Sequence, residues 1–324
     1  MPRATFFHTL AWARVLVRAF GYEPLYVCRM NGEELAACLP VMQVRQTFSR
    51  SRGKTLPFTD YCDPLVADLA TGQDLLSYVV EYGRILGWRS YELRGGGMLH
   101  QSTPFFRTCY GHSIELEEGA DRALSGFSSS ARRNVRRASK SVRIERGDSE
   151  KFVKTYYRLH QMTRKRQGLF VQPYALFDGI RREVLTRGHG FVSLAFADER
   201  PIAGAVYVHW NRRAEYVFGA SDSRFQHLRP NNAVMWNAVR WYAGQGYGEL
   251  SLGTTDSENS GLRQYKNTMA TRETELHYYK YDYAREAFTP LLTSSGTGLR
   301  ISVCKRMPAA ALSLVGTLLY PRHG

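Results

Sequence analysis

Several features that define common protein classes are missing from this 324-residue sequence. Its five cysteines are scattered, with no CxxC pair and no histidine at zinc spacing, which favours reduced cytosolic thiols over disulfides or a zinc site. Arg14 and Arg18 interrupt the first apolar segment, so a signal peptide is not expected. No segment reaches the roughly 20 apolar residues of a membrane-spanning helix. We therefore expect a cytoplasmic protein.

Motifs of several enzyme classes are also absent or incomplete. There is no GxSxG motif, and His209 and His227 have no Ser or Asp partner by motif, which argues against nucleophilic schemes of the hydrolase type. Gly95, Gly96 and Gly97 follow a predicted strand and resemble a phosphate cradle. Their spacing is neither GxGxxG nor GxxxxGK, so we do not expect them to hold phosphate.

What the sequence does contain is a globular composition with a large excess of positive charge. Hydrophobic residues make up 44% and aromatic residues 13%, and the length is sufficient for two domains with separate cores. The formal net charge of +15 predicts an anionic partner such as phosphate, nucleic acid or a membrane surface. Between positions 122 and 166, 14 basic residues face 3 acidic ones, so much of the charge forms a patch.

The basic patch includes a predicted helix with the sequence SSSARRNVRRASK at 128–140. Serines at its start are typical capping residues. Arg132 and Arg133 lie in the first turn, where an exposed cation opposes the helix dipole by roughly 0.3–1 kcal/mol, so a bound anion would explain them. Arg133 and Arg137 are predicted to hold phosphate, since bidentate donors suit a diphosphate. An ordinary solvated basic helix is the alternative.

A second informative stretch, GELSLGTTDSENSGLRQYKNTMA, spans 248–270. A short predicted strand runs into Gly253, and a polar loop then leads to a helical turn that carries Lys266. Loops at the carboxyl ends of parallel strands are where α/β folds place ligands. The stretch therefore predicts a ligand site near Lys266, and a surface loop with one solvated lysine is the alternative.

The order of predicted elements in the second half resembles the acyl-CoA N-acyltransferase (GNAT) fold. Antiparallel strands at 191–197, 202–210 and 215–220 precede a helix at 233–243, a parallel strand at 249–252, a helix and a final strand at 274–281. The first half repeats this order loosely, since LGWRSYELRG at 86–95 aligns without a gap with QGYGELSLGT at 245–254. We predict an α/β (α+β) fold of two tandem GNAT-like domains, 1–120 and 121–285, each a mixed, mostly antiparallel sheet flanked by helices.

Within that superfamily the chain resembles the FemAB-type branch. The resemblance is carried by the basic helix, by the sequence GASDSRFQHLRPNNAVMWNAVRWYAGQGYGELSLG at 219–253, and by ENSGLRQYKNTMA at 258–270. It implies transfer of an acyl or aminoacyl group onto an amine of a cell-envelope precursor, either peptidoglycan or polysaccharide. The chain lacks the helical hairpin with which some peptidoglycan-bridge enzymes grip tRNA, which points to a smaller member of the family.

The resemblance also implies roles for individual residues. Lys266 matches the lysine of the Gly-Leu-x-x-aromatic-Lys motif and is predicted to stabilise the oxyanion that forms when an amine attacks an ester or thioester. From their position in the sequence, Asp256 and Glu258 are close enough to take the proton from the incoming ammonium, and the substrate or water is the alternative base. The predicted substrate-binding residues are Arg133, Asn134, Arg137, Lys140, Tyr216, Asn231, Asn232, Gly253 and Arg263.

No metal and no permanently bound cofactor are expected. The predicted donor is acyl-CoA or aminoacyl-tRNA, and the predicted partner is a phosphorylated or lipid-linked envelope precursor, with tRNA as a further partner in the second case. Two other functions stay open. The charge and the tyrosines near the basic helices favour a nucleic-acid-binding module, and the C-terminal segment favours a non-catalytic scaffold at a membrane surface.

That segment, 286–324, is predicted to be a basic amphipathic tail. Its apolar part at 307–320 is flanked by Lys305, Arg306 and Arg322. Such a tail can lie on an anionic membrane, here the inner face of the cell membrane, by combining buried apolar area with flanking cations. A final helix docked on the protein core is the alternative.

Overall fold

A computed structural model describes residues 3–46, 49–100, 103–290, 304–305 and 307–323. The helices are α1 Leu10–Phe20, α2 Leu69–Ile85, α3 Ala120–Gly126, α4 Ser129–Ala138, α5 Glu150–Gln167, α6 Tyr174–Glu183, α7 Pro230–Gly244, α8 Ser260–Asn267 and α9 Ala309–His323. The strands are β1 Glu23–Asn31, β2 Glu34–Gln46, β3 Ser49–Lys54, β4 Leu65–Val66, β5 Ser90–Arg94, β6 Arg107–Glu115, β7 Arg143–Gly147, β8 Gly190–Ala197, β9 Arg200–Trp210, β10 Arg213–Ser221, β11 Glu249–Asp256, β12 Arg272–Asp282 and β13 Ala287–Phe288.

The described strands form one mixed sheet in the order β1-β2-β3-β5-β12-β6-β11-β10-β9-β8-β7, with β4 beside β2 and β13 beside β12. Most pairs are antiparallel, and the pairs β3–β5 and β10–β11 are parallel. Helices cover the sheet, so the predicted mixed α/β class is confirmed. Because β6 lies between β11 and β12, strands from the two predicted domains alternate at the centre of the sheet.

The second half follows the predicted order. β8, β9 and β10 are antiparallel neighbours, α7 follows them, and β11 then pairs in parallel with β10. In the first half, β1 and β2 form a hairpin around Asn31 and Gly32. The strand β3 has the sequence SRSRGK, whose polar character and turn formers are typical of a loop. Backbone pairing with β2 on one side and β5 on the other makes it a strand.

Four clusters of buried apolar side chains occur in the described residues; a small one packs Leu312 of α9 against Val171, and the other three lie between the sheet and the helices. One lies under α1, α5 and α6 and includes Trp12, Tyr156 and Phe177. Another lies between α4, α7 and the sheet, and a third lies between α2 and the first-half strands. The first cluster joins α1, from the start of the chain, to helices of the second half. The halves therefore share core as well as sheet.

The C-terminal helix α9 is docked on the body of the protein. Tyr320 anchors it, since its hydroxyl donates to the Phe170 carbonyl at 3.0 Å and accepts from Arg164 at 2.8 Å. The Tyr22 hydroxyl donates to the Tyr320 carbonyl at 2.6 Å. The docked alternative is therefore the one observed.

The same helix is apolar on both faces and is not amphipathic as predicted. Leu312 is fully buried against the body, whereas Leu314 is 64% and Leu318 57% exposed on the outer face. The preceding residues 291–303 lie outside the described part of the chain. None of the described helices has the length and apolar character needed to cross a bilayer.

Candidate active site at the β10–β11 divergence

The parallel strands β10 and β11 separate soon after they begin. Only three positions are paired, from Arg213 with Glu249 to Glu215 with Ser251. Beyond them β10 remains paired with β9 and β11 with β6, each through a register shift. We call the resulting opening the strand gap. Along the strand gap, the backbone groups of β10 and β11 do not pair with each other. An unpaired strand edge of this kind can form hydrogen bonds with an extended ligand.

Glu215 lies at the last paired position, at the apex of the strand gap. Its side chain is only 8% exposed and hydrogen-bonds Ser251 on the neighbouring strand. Burial raises the pKa of Glu215 to about 7, and the nearby carboxylates of Asp60 and Glu249 act in the same direction. A carboxyl group that titrates near neutral pH is suited to general base catalysis.

Asp60, from the loop between β3 and β4, reaches across to β11. Its carboxylate accepts a hydrogen bond from Thr254 at 3.1 Å, and its backbone carbonyl accepts one from Tyr278. Gly253 has a left-handed φ of 73°, and a Cβ at that position would overlap the Asp60 carboxylate. Gly253 was predicted to bind substrate. Its lack of a side chain leaves room for the Asp60 carboxylate, which the first half of the chain contributes.

A buried ion cluster holds the Asp60 loop in place. Glu92 on β5 is bound by Lys54 at 3.3 Å and by Arg94 at 3.1 Å. Although burial opposes ionisation, these two cations lower the pKa of Glu92 to about 2. Arg94 also donates to the Thr59 carbonyl at 2.5 Å, adjacent to Asp60. The position of Asp60 is therefore fixed by charged residues at the centre of the first-half sheet.

Lys266, the predicted oxyanion stabiliser, is buried on α8 next to these groups. It is 8% exposed, and its ammonium donates to the Thr254 carbonyl at 2.9 Å. Burial lowers the pKa of Lys266, and the attraction of Asp60 opposes that change. Lys266, Asp60 and Thr254 thus form one cluster, on the strand whose beginning pairs with Glu215.

A cavity of about 200 Å³ opens at this cluster, and we call it the reaction pocket. Its walls include Asp60, Glu215, Ser251, Gly253 and Thr254. His112 also lines it, with Nδ1 2.8 Å from the side-chain oxygen of Asn267. The pocket thus combines a carboxyl group with a raised pKa and several hydroxyl and backbone groups, which is what an amine and a reacting carbonyl need. No cluster of three or more metal-ligating side chains occurs in the described residues.

The basic residues predicted on α4 lie on the outside of the protein. The side chains of Arg133, Arg137 and Lys140 are exposed and form no hydrogen bond or ion pair with a described residue. Arg132 differs, because its guanidinium donates to the carbonyls of Ser125 and Phe127 and so caps α3. Arg132 therefore has a structural role, which leaves Arg133, Arg136 and Arg137 of α4 and the nearby Lys140 without a side-chain partner among the described residues.

The start of α4 is close to the end of α8, since the Ser128 amide donates to the Thr268 carbonyl at 2.8 Å. The two helices that carry the predicted cations thus meet. Their charged groups point differently, because Lys266 is buried whereas Arg133 and Arg137 are exposed. Asn134 is half-buried on the same helix. Among the described residues, no single cavity is lined by both Lys266 and the arginines of α4.

Other predicted site residues have identifiable contacts. Asp256 is paired with Arg107 at 3.0 Å and is partly exposed, and Glu258 is exposed. Arg263 forms a bidentate pair with Glu273 at 3.0 and 2.6 Å and stacks over Tyr110. Arg263 is therefore held by protein groups.

The two asparagines at the start of α7 are not its cap. The helix begins earlier than predicted, at Pro230, because Arg229 adopts a left-handed φ of 56° as N-cap residue. Asn231 and Asn232 are thus inside the first turn, and the buried Asn232 amide contacts the Met269 sulfur at 3.8 Å. Tyr216, next to Glu215 on β10, packs against Tyr207 with ring centroids 5.7 Å apart.

Sequence reasoning missed Glu215 and Asp60, and the signals for them were weak. Glu215 is an acidic residue at the start of a strand whose partners are apolar or small. Asp60 lies in a loop with Pro57, Tyr61 and Pro64, which is unusually rich in turn formers and aromatics. Either signal alone is common, and only the fold brings the two carboxylates together.

Comparison with known proteins agrees with this geometry. Residues 125–267 match the family described as acetyltransferase (GNAT) domain. This region is similar to GNAT domains and makes up less than half of the chain. It contains α4, the strand gap and Lys266. No curated protein matches the sequence.

Solved structures share the fold over most of the chain. FemX aligns with a TM-score of 0.68 at 13% identity, covering 86% of this chain and 92% of that one. The C-terminal domain of a protein described as a lysylphosphatidylglycerol synthetase from Agrobacterium fabrum gives 0.57 at 13%, covering 85% and 88%. A tandem GNAT protein from the clavulanic acid biosynthesis pathway gives 0.52 at 7%, covering 83% and 87%. At these identities the likenesses show a shared fold.

Proposed function

We propose that the protein is an acyl-CoA-dependent N-acyltransferase that modifies an amine of a cell-envelope precursor. The observation that carries this proposal is the placement of Glu215, with its raised pKa, at the apex of the strand gap and within the same pocket as Asp60. The GNAT domain supplies the reaction class. The cell-envelope acceptor rests on the FemAB-like resemblance, and the names of FemX and the synthetase agree with it.

The proposed chemistry uses groups of the reaction pocket together with Lys266, which is bonded to Thr254 on the pocket wall but does not itself line the pocket. The acyl-CoA thioester enters along the strand gap, where the backbone edges of β10 and β11 are free of each other. The Glu215 carboxylate takes a proton from the acceptor ammonium, and the amine then attacks the thioester carbon. As the C–N bond forms and the C–S bond breaks, CoA leaves as a thiolate, which takes up the second proton lost by the nitrogen and becomes the thiol, and Glu215 releases its own proton to water. Lys266 stabilises the negative charge that develops on the carbonyl oxygen.

Exposed cations on α4 fit an acceptor that carries phosphate. Arg133, Arg137 and Lys140 have no partner among the described residues, and guanidinium groups bind phosphate oxygens in pairs. Each of these contacts is at the surface and therefore weakened by salt. We infer that the acceptor is phosphorylated, as a lipid-linked or nucleotide-linked sugar would be.

The test is release of free CoA thiol from acetyl-CoA in the presence of a panel of amino sugars and amine-bearing peptides. Glu215→Gln is expected to lower kcat/KM by about 10²–10⁴-fold, as loss of a general base does. Asp256→Asn and Glu258→Gln are the matched comparisons, because these residues were the predicted bases. A larger loss in either of them than in Glu215→Gln would transfer the role of base away from Glu215.

Aminoacyl-tRNA is the second candidate donor, and the unpaired cations of α4 favour it. Binding of tRNA that weakens steeply with salt, and less steeply in Arg133→Ala/Arg137→Ala, would support it. If tRNA binding is undetectable or independent of salt, the result would contradict both aminoacyl-tRNA as donor and the alternative of a nucleic-acid-binding module.

A membrane surface remains a proposed partner of α9, through the exposed Leu314 and Leu318 and the flanking Lys305 and Arg322. Flotation with anionic liposomes, with and without residues 305–324, tests it. Equal flotation of the two forms would contradict a membrane role of this helix.

A further inference from the structure

A second cavity, of about 650 Å³, adjoins the reaction pocket on the side of the first half of the chain. We call it the apolar chamber. Tyr61, Thr274 and Leu276 line both cavities, so the two spaces meet at these three residues. The volume is within the range of about 300–1,000 Å³ that is usual for small-molecule sites.

Apolar side chains form most of the chamber wall. Two of them, Met98 and Leu69, are 70% and 45% exposed, which is unusual for side chains clustered on a concave surface. The apolar wall residues on which the argument rests are Leu65, Val66, Leu69, Met98, Leu99 and Leu276.

Polar groups of the chamber are either at its rim or already bonded. Arg3, Asp68 and Glu275 are exposed. Asp63 accepts hydrogen bonds from the Tyr61 hydroxyl and from the Gly96 amide, both at 2.5 Å. The inner wall therefore offers little to a charged ligand, and burial of an apolar group is the favourable interaction available there.

We propose that the apolar chamber holds an aliphatic chain carried by the amine acceptor, which places the amino group of that acceptor in the reaction pocket. This assignment rests on the proposed N-acyltransferase function and adds the substrate class: an amphiphilic amine. The acceptor is favoured over the donor as occupant because no residue of β10 or β11, which border the strand gap, lines the chamber.

Two positions allow the chamber to be altered without disturbing the core. A Cβ at Gly97 would meet no atom within 4 Å, and Gly97 is outside the set of left-handed glycines. Gly97→Leu therefore reduces the space at low cost. Met98→Asp places a charge on the wall at a largely exposed position. Met30→Asp is the matched control, since Met30 is 54% exposed on β1 and does not line the chamber.

The experiment is a calorimetric titration with ethylamine, hexylamine and decylamine. For the native chain and Met30→Asp, we expect affinity to rise by about fourfold for each methylene that enters the chamber. Gly97→Leu and Met98→Asp are expected to flatten that dependence and to leave acetyl-CoA binding unchanged. Affinity that is independent of chain length, or equal chain-length dependence in all four proteins, would overturn the proposal.

The same amines separate failure of the chamber from failure of the proposed function. If decylamine binds in a chain-length-dependent way but no amine is acylated, the chamber stands and the N-acyltransferase assignment falls. If amines are acylated with equal efficiency at every length, the function stands and the chamber assignment falls. A chain-length dependence found only with acyl-CoA donors would assign the chamber to the donor and contradict our proposal.

Discussion

Glu215→Gln is expected to affect stability and activity in opposite directions. The buried carboxyl group of Glu215 favours its protonated form, because burial raises the pKa from an ordinary 4.5 to about 7. The folded protein therefore holds a proton that the unfolded chain releases between these two values. The stabilisation from the protonated acid is complete below pH 4.5 and is lost as pH rises through about 7.

The size of the effect follows from the pKa difference. A rise from 4.5 to about 7 means that ionised Glu215 lowers the free energy of unfolding by about 3 kcal/mol at alkaline pH. Glutamine has nearly the same shape and carries no charge, so it does not incur this loss. Between about pH 5 and pH 8, the free energy of unfolding of the Gln variant is thus expected to rise by about 3 kcal/mol relative to that of the native chain. This corresponds to a relative increase in Tm on the order of 5 °C.

Urea unfolding of both proteins across this pH range measures the difference without any substrate. Glu258→Gln serves as control, since Glu258 is exposed and its replacement is expected to leave the pH dependence unchanged. Acyl transfer is measured on the same proteins. For the native chain, its rate is expected to rise with pH towards about 7. For Glu215→Gln, acyl transfer is expected to be nearly absent. Parallel stability curves for the native chain and Glu215→Gln would refute the argument from burial.

Three further substitutions test other parts of the structure. Lys266→Met is expected to lower kcat by about 10²–10³-fold with little change in KM, and a change confined to KM would contradict an oxyanion role. Gly253→Ala, whose Cβ would overlap Asp60, is expected to cost about 1–3 kcal/mol in urea unfolding; Gly261→Ala, at a position with open space, is its control. Tyr320→Phe is expected to destabilise by about 1–3 kcal/mol through loss of its hydroxyl bonds, and an unchanged midpoint would argue against docking of α9.

Local patterns were sufficient for much of the fold. Apolar β-type runs predicted β8, β9 and β10, and Asn31-Gly32 between two apolar runs is typical of the turn that joins β1 and β2. Gly253 and Lys266 were selected as candidates because they belong to one continuous stretch, in which a strand, a polar loop and a helix follow each other directly. Structural elements formed by residues that are close in sequence can therefore be predicted from the local sequence pattern.

The parts of the candidate site that were not predicted from the sequence depend on contacts between residues far apart in the chain. Asp60 reaches Thr254, 194 positions along the chain, and nothing near Asp60 in sequence indicates that partner. The raised pKa of Glu215 likewise depends on burial by surrounding elements. Arg132 and Arg263 show the opposite error: their basic character predicted ligand contacts, whereas neighbouring carbonyl and carboxylate groups already bind them.

The interleaved sheet brings the first half of the chain into contact with the candidate site, which lies mainly in the region similar to GNAT domains. β6 separates β11 from β12, so the strand that carries Gly253 is held on one side by a strand of the first half. The Glu92 ion cluster then fixes the Asp60 loop against that same strand. Because Asp60 attracts the Lys266 ammonium and contributes to the raised pKa of Glu215, a change in the first-half core is expected to alter both proposed catalytic groups through one carboxylate.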